Sequence, residues 1–231
     1  ERYTMSTRMA IELFKMLYVD DAVFGFQYED EGRAFLDALD SQVKAYGLAL
    51  HPTKTRLLEF GRYASSNRRG RGEGKPETFD YLGFTHICGK TRNGSFCIRR
   101  KTIRKRFCRT LRKIKEELGR RMHRPLNETG KWLGSVMRGY INYYGIPRNI
   151  EILKEFYTQL GRQWLWTIRR RSQKAKTRWT WERFYRLQER WIPRPKIVHP
   201  YPNERFDAKY SREEPYAVVP HVRICAGRAC S

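Results

Sequence analysis

Paired cysteines, long apolar runs and acidic side chains are all scarce in this chain of 231 residues. Its five cysteines are odd in number and include no Cys-x-x-Cys pair, so we expect no zinc site. We expect their thiols to be reduced, as in a cytoplasmic protein. They are Cys88, Cys97, Cys108, Cys225 and Cys230. No apolar run approaches the ~20 residues of a membrane-spanning helix, and no signal-peptide pattern is visible. The sequence therefore predicts a cytoplasmic protein without a membrane partner.

The shortage of acidic residues leaves a strong positive charge. Lys and Arg number 48 against 24 Asp and Glu, which gives a formal net charge of +24. An excess spread along the whole chain predicts a polyanionic partner, and nucleic acid is the first candidate. Aromatic residues make up 14%, and their mixture with basic residues suits a surface that meets phosphates and bases. A ribosomal-type or heparin-type binder has the same balance and stays open at this point.

Two adjacent carboxylates, Asp20 and Asp21, interrupt the apolar run 17–26. Apolar runs on both sides of a short polar pair predict a tight β-hairpin with the pair at its tip. Adjacent anions repel each other, so we expect a compensating lysine, arginine or divalent ion, and carboxylate oxygens suit Mg²⁺. Taken alone, such a pair is more often an ordinary turn.

The patterns up to about residue 100 alternate between helix and strand. An apolar stripe predicts a helix over 29–47; its members are Phe35, Leu39, Val43 and Tyr46. Two short strands are expected around the turn at His51 and Pro52. Residues 62–78 are predicted to be a mobile basic loop, and a second hairpin is predicted after it.

From residue 102 the apolar spacing becomes helical. The first helix sets an apolar stripe against many Arg and Lys, with too few acids to balance them, so we expect these cations to contact phosphate. Further helices are predicted to begin near Asn127, Asn149 and Thr180, with a basic loop at 174–178. Prolines and weak patterning after residue 192 predict an extended or disordered tail.

In their order and spacing, these motifs resemble those of group II intron-encoded reverse transcriptases, also called intron maturases. Tyr18-Val19-Asp20-Asp21 is similar to the Tyr-x-Asp-Asp box of the palm, although most members carry alanine at the second position. The next palm blocks are similar to Gly47-Leu48-x-Leu50 with Lys54-Thr55 and Phe60-Gly61, and to the segment Gly74 to Phe84. The maturase thumb and its continuation are similar to Trp132-Leu133, Gly139-Tyr140, Tyr143-Tyr144-Gly145, the segment Arg169 to Lys174, and Trp181-Glu182-Arg183. The resemblance covers residues 18–207.

The resemblance implies an α+β fold class. It predicts a partial reverse-transcriptase palm, made of antiparallel hairpins with a packed helix, and then an all-α basic thumb or maturase domain. The expected parts are 1–100 (palm), 101–192 (thumb) and 193–231 (tail). The family's fingers and earlier palm blocks have no counterpart in the sequence, and those blocks supply the first catalytic aspartate. We therefore expect an N-terminally truncated fragment that lacks the N-terminal fingers and palm portion.

The implied activity is that of an RNA-directed DNA polymerase and maturase. The complete protein would use two Mg²⁺ ions for nucleotidyl transfer, with Asp20 as metal ligand and Asp21 as the second or outer carboxylate. Its partners would be group II intron RNA, an RNA template and a DNA primer. Residues expected to position nucleic acid or nucleotide are Tyr18, Lys54, Phe79, Leu82, Gly83 and Phe84. Residues expected to bind RNA phosphates are Arg104, Lys105, Arg109, Arg112, Lys113, Arg169, Arg170, Arg171 and Lys174.

Four aromatic residues are candidates to stack on bases: Trp132, Tyr140, Tyr143 and Tyr144. Their spacing also fits a helix core, which we favour for Trp132 and Tyr140. Two alternatives to a polymerase of the intron class stay open. One is a non-catalytic RNA-binding maturase remnant, and the other is a retron-type or defence-associated reverse transcriptase. We expect the 231 residues alone to bind RNA without extending a primer.

Overall fold

The computed structural model of the chain describes residues 14–18, 21–200, 217–218 and 221–225. These residues form an α+β arrangement of nine strands and seven helices. The strands are β1 (Phe14–Tyr18), β2 (Asp21–Gly25), β3 (Ala49–Leu50), β4 (Glu59–Phe60), β5 (Phe79–Tyr81), β6 (Phe84–Lys90), β7 (Phe96–Thr102), β8 (Ala217–Val218) and β9 (His221–Cys225). The helices are α1 (Glu29–Ala45), α2 (Ala64–Gly70), α3 (Arg104–Arg120), α4 (Leu126–Tyr144), α5 (Ile150–Arg169), α6 (Gln173–Arg178) and α7 (Trp181–Trp191).

The chain divides into two compact units. The first contains the described residues up to Tyr81, then His86–Arg99 and the strands β8 and β9. The second contains Leu82–Thr85 and the described part of Arg100–Tyr210. No helix of the described residues is long and apolar enough to cross a membrane.

The hairpin predicted around the carboxylate pair is present in the backbone. β1 and β2 pair antiparallel, from Phe14 opposite Gly25 to Tyr18 opposite Asp21. β2 also pairs with β9, and β9 with β3, which gives the strand order β1-β2-β9-β3. β4 pairs with β8, and β5, β6 and β7 form a separate sheet in that order.

The tail differs from the separate segment that the sequence predicts. Its strands β8 and β9 belong to the first unit and pair with β2, β3 and β4. Short strands are stabilised when their backbone groups are paired with a neighbour, which meets the hydrogen-bonding requirement of the peptide groups. The partner strands lie more than 150 residues away in the chain, so no local sequence pattern predicts this pairing.

Helix α1 packs its apolar stripe against the sheet of the first unit. Phe35 contacts Phe24 and Phe26, with ring centroids 4.8 and 5.1 Å apart. Leu39 packs against the same cluster. Tyr46 was expected to complete the stripe but is 77% exposed, because α1 ends at Ala45, before this residue.

One apolar core holds the second unit together, and α3, α4, α5 and α7 each bury one face in it. The predicted α3 stripe is confirmed, since Phe107, Ile114 and Leu118 are buried. Phe156 of α5 and Phe184 of α7 have no exposed surface. Each large apolar side chain that is fully buried contributes about 1.5–3 kcal/mol relative to an exposed one.

Two stretches predicted as basic loops contain helices. Residues 64–70 form α2, and residues 173–178 form α6. The start of α6 is fixed by Ser172, whose hydroxyl accepts a hydrogen bond from the Ala175 N–H at 3.1 Å. Such N-caps stabilise a short helix by about 1 kcal/mol. The sequence prediction relied on the basic composition of the stretch and missed this cap.

The other helix starts agree with the sequence to within one residue. α7 follows Thr180, whose hydroxyl accepts from the Arg183 N–H at 3.3 Å. α5 follows Asn149, although the amide of Asn149 bonds to Thr102 instead of capping its own helix. α4 begins at Leu126, one residue before the predicted Asn127.

Candidate nucleic-acid interface

Of the predicted Asp20-Asp21 pair, the structure describes the backbone of Asp21, at the start of β2. Tyr18 is the last residue of β1, and Asp21 is the first residue of β2, directly opposite it. Asp20 lies outside the described residues. Next along β2, Ala22 and Phe24 are buried, and the strand is paired on both sides. Core packing and two neighbouring strands therefore fix the backbone that leads away from the pair.

The donor chemistry of this pair fits a divalent ion. Carboxylate oxygens are ligands that Mg²⁺ prefers, and Mg²⁺ is usually held by one or two carboxylates together with water and phosphate oxygens. Within the described part of the chain, no group of three or more His, Cys, Asp or Glu could hold a metal ion by itself. An ion at Asp20 and Asp21 would complete its coordination with water and phosphate oxygens.

Lys54 lies in the turn that follows His51. Its backbone N–H donates to the His51 carbonyl at 3.2 Å, and its side chain is exposed. None of the described carboxylates lies within ion-pair distance of its ammonium group. Its role near nucleotide phosphates stays a prediction.

Leu82 and Gly83 form the two-residue turn between β5 and β6, with φ angles of 46° and 82°. Positive φ at both positions is typical of the type I′ turn that suits a β-hairpin. The Tyr143 hydroxyl donates to the Leu82 carbonyl at 2.8 Å, and the Ile103 N–H donates to the Gly83 carbonyl at 3.1 Å. A Cβ at Gly83 would lie 3.2 Å from the guanidinium of Arg106. The space left by the missing side chain of Gly83 is therefore occupied by the guanidinium of Arg106, which belongs to the same unit.

The two phenylalanines expected to position a primer are core residues. In the first unit, Phe79 stacks on His86 with ring centroids 4.7 Å apart and meets the edge of Phe60 at 5.0 Å. In the second unit, Phe84 is buried and lies parallel to the Tyr143 ring at 5.9 Å. Both rings are packed inside the protein. A nucleic-acid strand at the turn between β5 and β6 would therefore contact the backbone of the turn or the half-buried side chain of Leu82.

The four aromatic residues of α4 differ in exposure. Tyr140 is buried, and the half-buried Trp132 lies under the guanidinium of Arg121 at 4.9 Å. Tyr144 is half-buried, and burial raises its pKa. The positive charge of the nearby Arg106 lowers the same pKa and so reduces the increase. Tyr143 remains 48% exposed beside Phe84. Among these four, Tyr143 is therefore the one whose ring is most open to a base.

A continuous cationic surface follows the exposed side of α3. We call it the α3 ridge and define it as Lys105, Arg109, Arg112 and Lys113. The first three are spaced by four and three residues, so they lie along one line of the helix. This line is opposite the buried Phe107 and Ile114. All four are exposed, and none forms an ion pair with a carboxylate of the described residues.

Arg104 has a different environment from the α3 ridge. Its guanidinium donates to the Glu155 carboxylate at 2.7 Å and lies over the Phe107 ring at 4.8 Å. The carboxylate raises the pKa of Arg104. Its charge is therefore partly paired within the unit, and its contact with RNA phosphate stays a prediction.

The basic residues at the end of α5 and directly after it also have two kinds of environment. Arg169 donates to the Trp179 carbonyl at 2.8 Å, and Arg171 donates to the Arg124 carbonyl at 2.9 Å. Burial lowers the pKa of Arg171. These two arginines hold loops in place, and their phosphate contacts stay predictions. Arg170 and Lys174 are exposed and, within the described residues, have no acidic partner.

Sequence reasoning missed one exposed group on α5. Trp166 is 67% exposed, and Arg162, one turn before it, is exposed as well. The apolar stripe of α5 passes through Leu165 and Ile168, both buried. A helical projection centred on those two residues places Trp166 outside the stripe, and this was the signal that could have identified it.

Comparison with protein-family models, with curated proteins and with solved structures gave no match to this chain. The interpretation of the interface therefore rests on its residues and their geometry.

Proposed function

We propose that this chain contributes the Tyr-x-Asp-Asp hairpin and the RNA-binding thumb of a group II intron-type reverse transcriptase and maturase. The order of motifs along the sequence supports the polymerase part of the proposal. The observation that carries the RNA-binding part is the α3 ridge, whose four cations have no acidic partner among the described residues and lie on one side of a helix anchored in the core. Lys and Arg that neutralise phosphates release counterions, and this drives sequence-independent binding.

In a polymerase of this type, Asp20 and Asp21 would hold Mg²⁺, and the bound ions would supply activation of a primer hydroxyl and charge stabilisation for the leaving pyrophosphate. The chain's own contribution is positional. Strand β2 fixes the backbone at Asp21 through core packing and pairing on both edges. The α3 ridge would contact the phosphates of a bound RNA. Such contacts position the RNA on the protein and do not recognise its base sequence.

Charge removal on the α3 ridge tests RNA binding. The variant Lys105→Gln/Arg109→Gln/Arg112→Gln is expected to bind single-stranded RNA more weakly and with a shallower salt dependence. Each lost phosphate contact lowers the slope of log K against log salt by about 0.7, so three contacts lower it by about 2. The measurement is a fluorescence-anisotropy titration of labelled RNA over a series of salt concentrations.

The matched control removes three cations that already have acidic neighbours. Arg33 pairs with Glu29, Lys44 with Asp40, and Arg186 lies 3.8 Å from Glu182. The control variant Arg33→Gln/Lys44→Gln/Arg186→Gln has the same net charge as the ridge variant, and it is expected to keep the wild-type slope. Equal slopes in the two triple variants would contradict the assignment of the α3 ridge, since net charge alone would then explain binding.

A second candidate function is RNA binding without polymerisation, which the α3 ridge supports independently of Asp20 and Asp21. The sequence of the gene's 5′ flank separates the two. If it encodes fingers and an upstream aspartate in frame, the longer polypeptide is expected to extend a primer with Mg²⁺, and Asp20→Ala to abolish extension. Stop codons in that flank would leave only the RNA-binding function.

A further inference from the structure

Helix α5 has a large aromatic side chain that points away from the core and is mostly exposed to solvent. The ring of Trp166 is 67% exposed, whereas Trp164, two residues earlier, has no exposed surface. In the second unit, guanidinium groups lie over aromatic rings at Phe107, Trp132 and Trp191. Trp166 belongs to no such pair among the described residues, so solvent has access to its indole face.

Two arginines flank this tryptophan, one within α5 and one directly after its last residue. Arg162 and Arg170 lie four residues before and after Trp166, which corresponds to about 6 Å along the axis in each direction. Both are exposed, and neither has an acidic partner within the part of the chain that the structure describes. The order is therefore cation, aromatic ring, cation along one exposed line.

The surrounding sequence strengthens the positive field at this place. Residues 156–181 contain seven Lys or Arg and no Asp or Glu. On the first half of α5, by contrast, Glu155 pairs with Arg104 and Glu151 pairs with Lys154. The second half of the helix thus has cations without local counter-charge, which is complementary to a polyanion.

We propose that Trp166 stacks on an unpaired base of single-stranded RNA while Arg162 and Arg170 contact the flanking phosphates. Exposed aromatic rings beside cations bind single strands because every base presents a π-face, whereas the bases of a duplex are already stacked. This site is separate from the α3 ridge, and it rests on the RNA-binding part of the proposed function. It adds a preference for unpaired segments, which phosphate contacts alone do not provide.

The test compares oligouridine with a perfect RNA duplex of the same length, using the full chain of 231 residues. Trp166→Ala is expected to weaken oligouridine binding by about tenfold or more, the usual effect of losing one base–aromatic stack. Its salt slope and its affinity for the duplex should stay those of the wild type. The variant Arg162→Gln/Arg170→Gln should instead lower the salt slope for oligouridine by about 1.4, two contacts at about 0.7 each.

Two control variants, one crosslink and one unfolding measurement make the result decisive. Trp166→Phe should retain most of the affinity because it keeps an aromatic face, and the exposed Trp181→Ala on α7 should bind as the wild type does. Oligouridine that carries 5-iodouridine should crosslink to Trp166 on irradiation, as located by mass spectrometry. Unchanged thermal unfolding of Trp166→Ala would show that weaker binding reflects a lost contact.

Unchanged oligouridine affinity of the Trp166→Ala variant would overturn the proposal. If the ridge triple variant still weakens binding in that case, the proposed function stands and only this site fails. If Trp166→Ala then also changes the sedimentation of the free protein, the ring is assigned to a contact between protein molecules.

Discussion

The ring of Tyr140 lies inside the helical core, stacked on Phe156 with ring centroids 3.6 Å apart. Burial, together with the neighbouring Tyr144, raises the pKa of Tyr140 well above its ordinary value. The unfolded chain releases the proton of a tyrosine near pH 10, so above that pH the folded state holds a proton that the unfolded state has lost. The phenol therefore contributes stability below about pH 10 that is lost as the pH rises further.

At the residue scale, we predict a difference in alkaline stability between the wild type and Tyr140→Phe. Above about pH 10 the wild type should lose up to about 1.4 kcal/mol per pH unit because of this one group, and the variant should lack that part of the loss. Urea unfolding at several pH values measures it. Below about pH 9 the free-energy difference between the two proteins should be constant. A constant difference up to pH 11 as well would contradict the prediction.

At the scale of elements, α4 and α7 meet through glycines. A Cβ at Gly130 or Gly134 of α4 would lie 2.5 Å from atoms of Trp191, and at Gly134 the atom is the Trp191 backbone carbonyl oxygen. A side-chain contact can relax by rotation, whereas a backbone contact requires the helices to separate. Gly139 lies on the exposed side of the same helix, and apart from the helix's own nearby backbone no described atom lies within 4 Å of its Cβ position.

We therefore predict opposite effects for two Gly→Ala changes in α4. Gly134→Ala should lower the free energy of unfolding by about 1–3 kcal/mol, as expected for overpacking. Gly139→Ala should raise it by about 0.5–1 kcal/mol, because alanine restricts the unfolded chain and favours the helix. Thermal and urea unfolding of both variants make the comparison. A stabilising effect at Gly134 would contradict the α4–α7 packing described above.

The elements also show what sequence patterns can and cannot predict. The stripes of α1 and α3 and the cap at Thr180 are local patterns, and the helices begin and end close to where these patterns place them. The charge pattern of α3 likewise predicted an exposed cationic surface. It did not predict that Arg104 is paired, because Glu155 lies 51 residues further along. The pairing of β9 with β2 depends on still more distant contacts.

At the scale of the whole molecule, the two units differ in how deeply they bury their side chains. The largest side chains with less than 2% exposure all belong to the second unit, and most of them lie in α4 and α5. In the first unit the cluster of buried residues around Phe24 and Phe26 is smaller. Since burial of apolar area is the main favourable term in folding, we expect the second unit to be the more stable.

Hydrogen exchange measures this difference within one intact molecule. Amides of α4 and α5 should exchange most slowly, because they open only when the second unit unfolds, whereas amides of α1 and β2 should exchange through an easier opening of the first unit. Low concentrations of urea should accelerate exchange in the first unit before the second. If the slowest amides of both units exchanged at one common rate at every urea concentration, the chain would unfold as a single cooperative structure, contrary to this expectation.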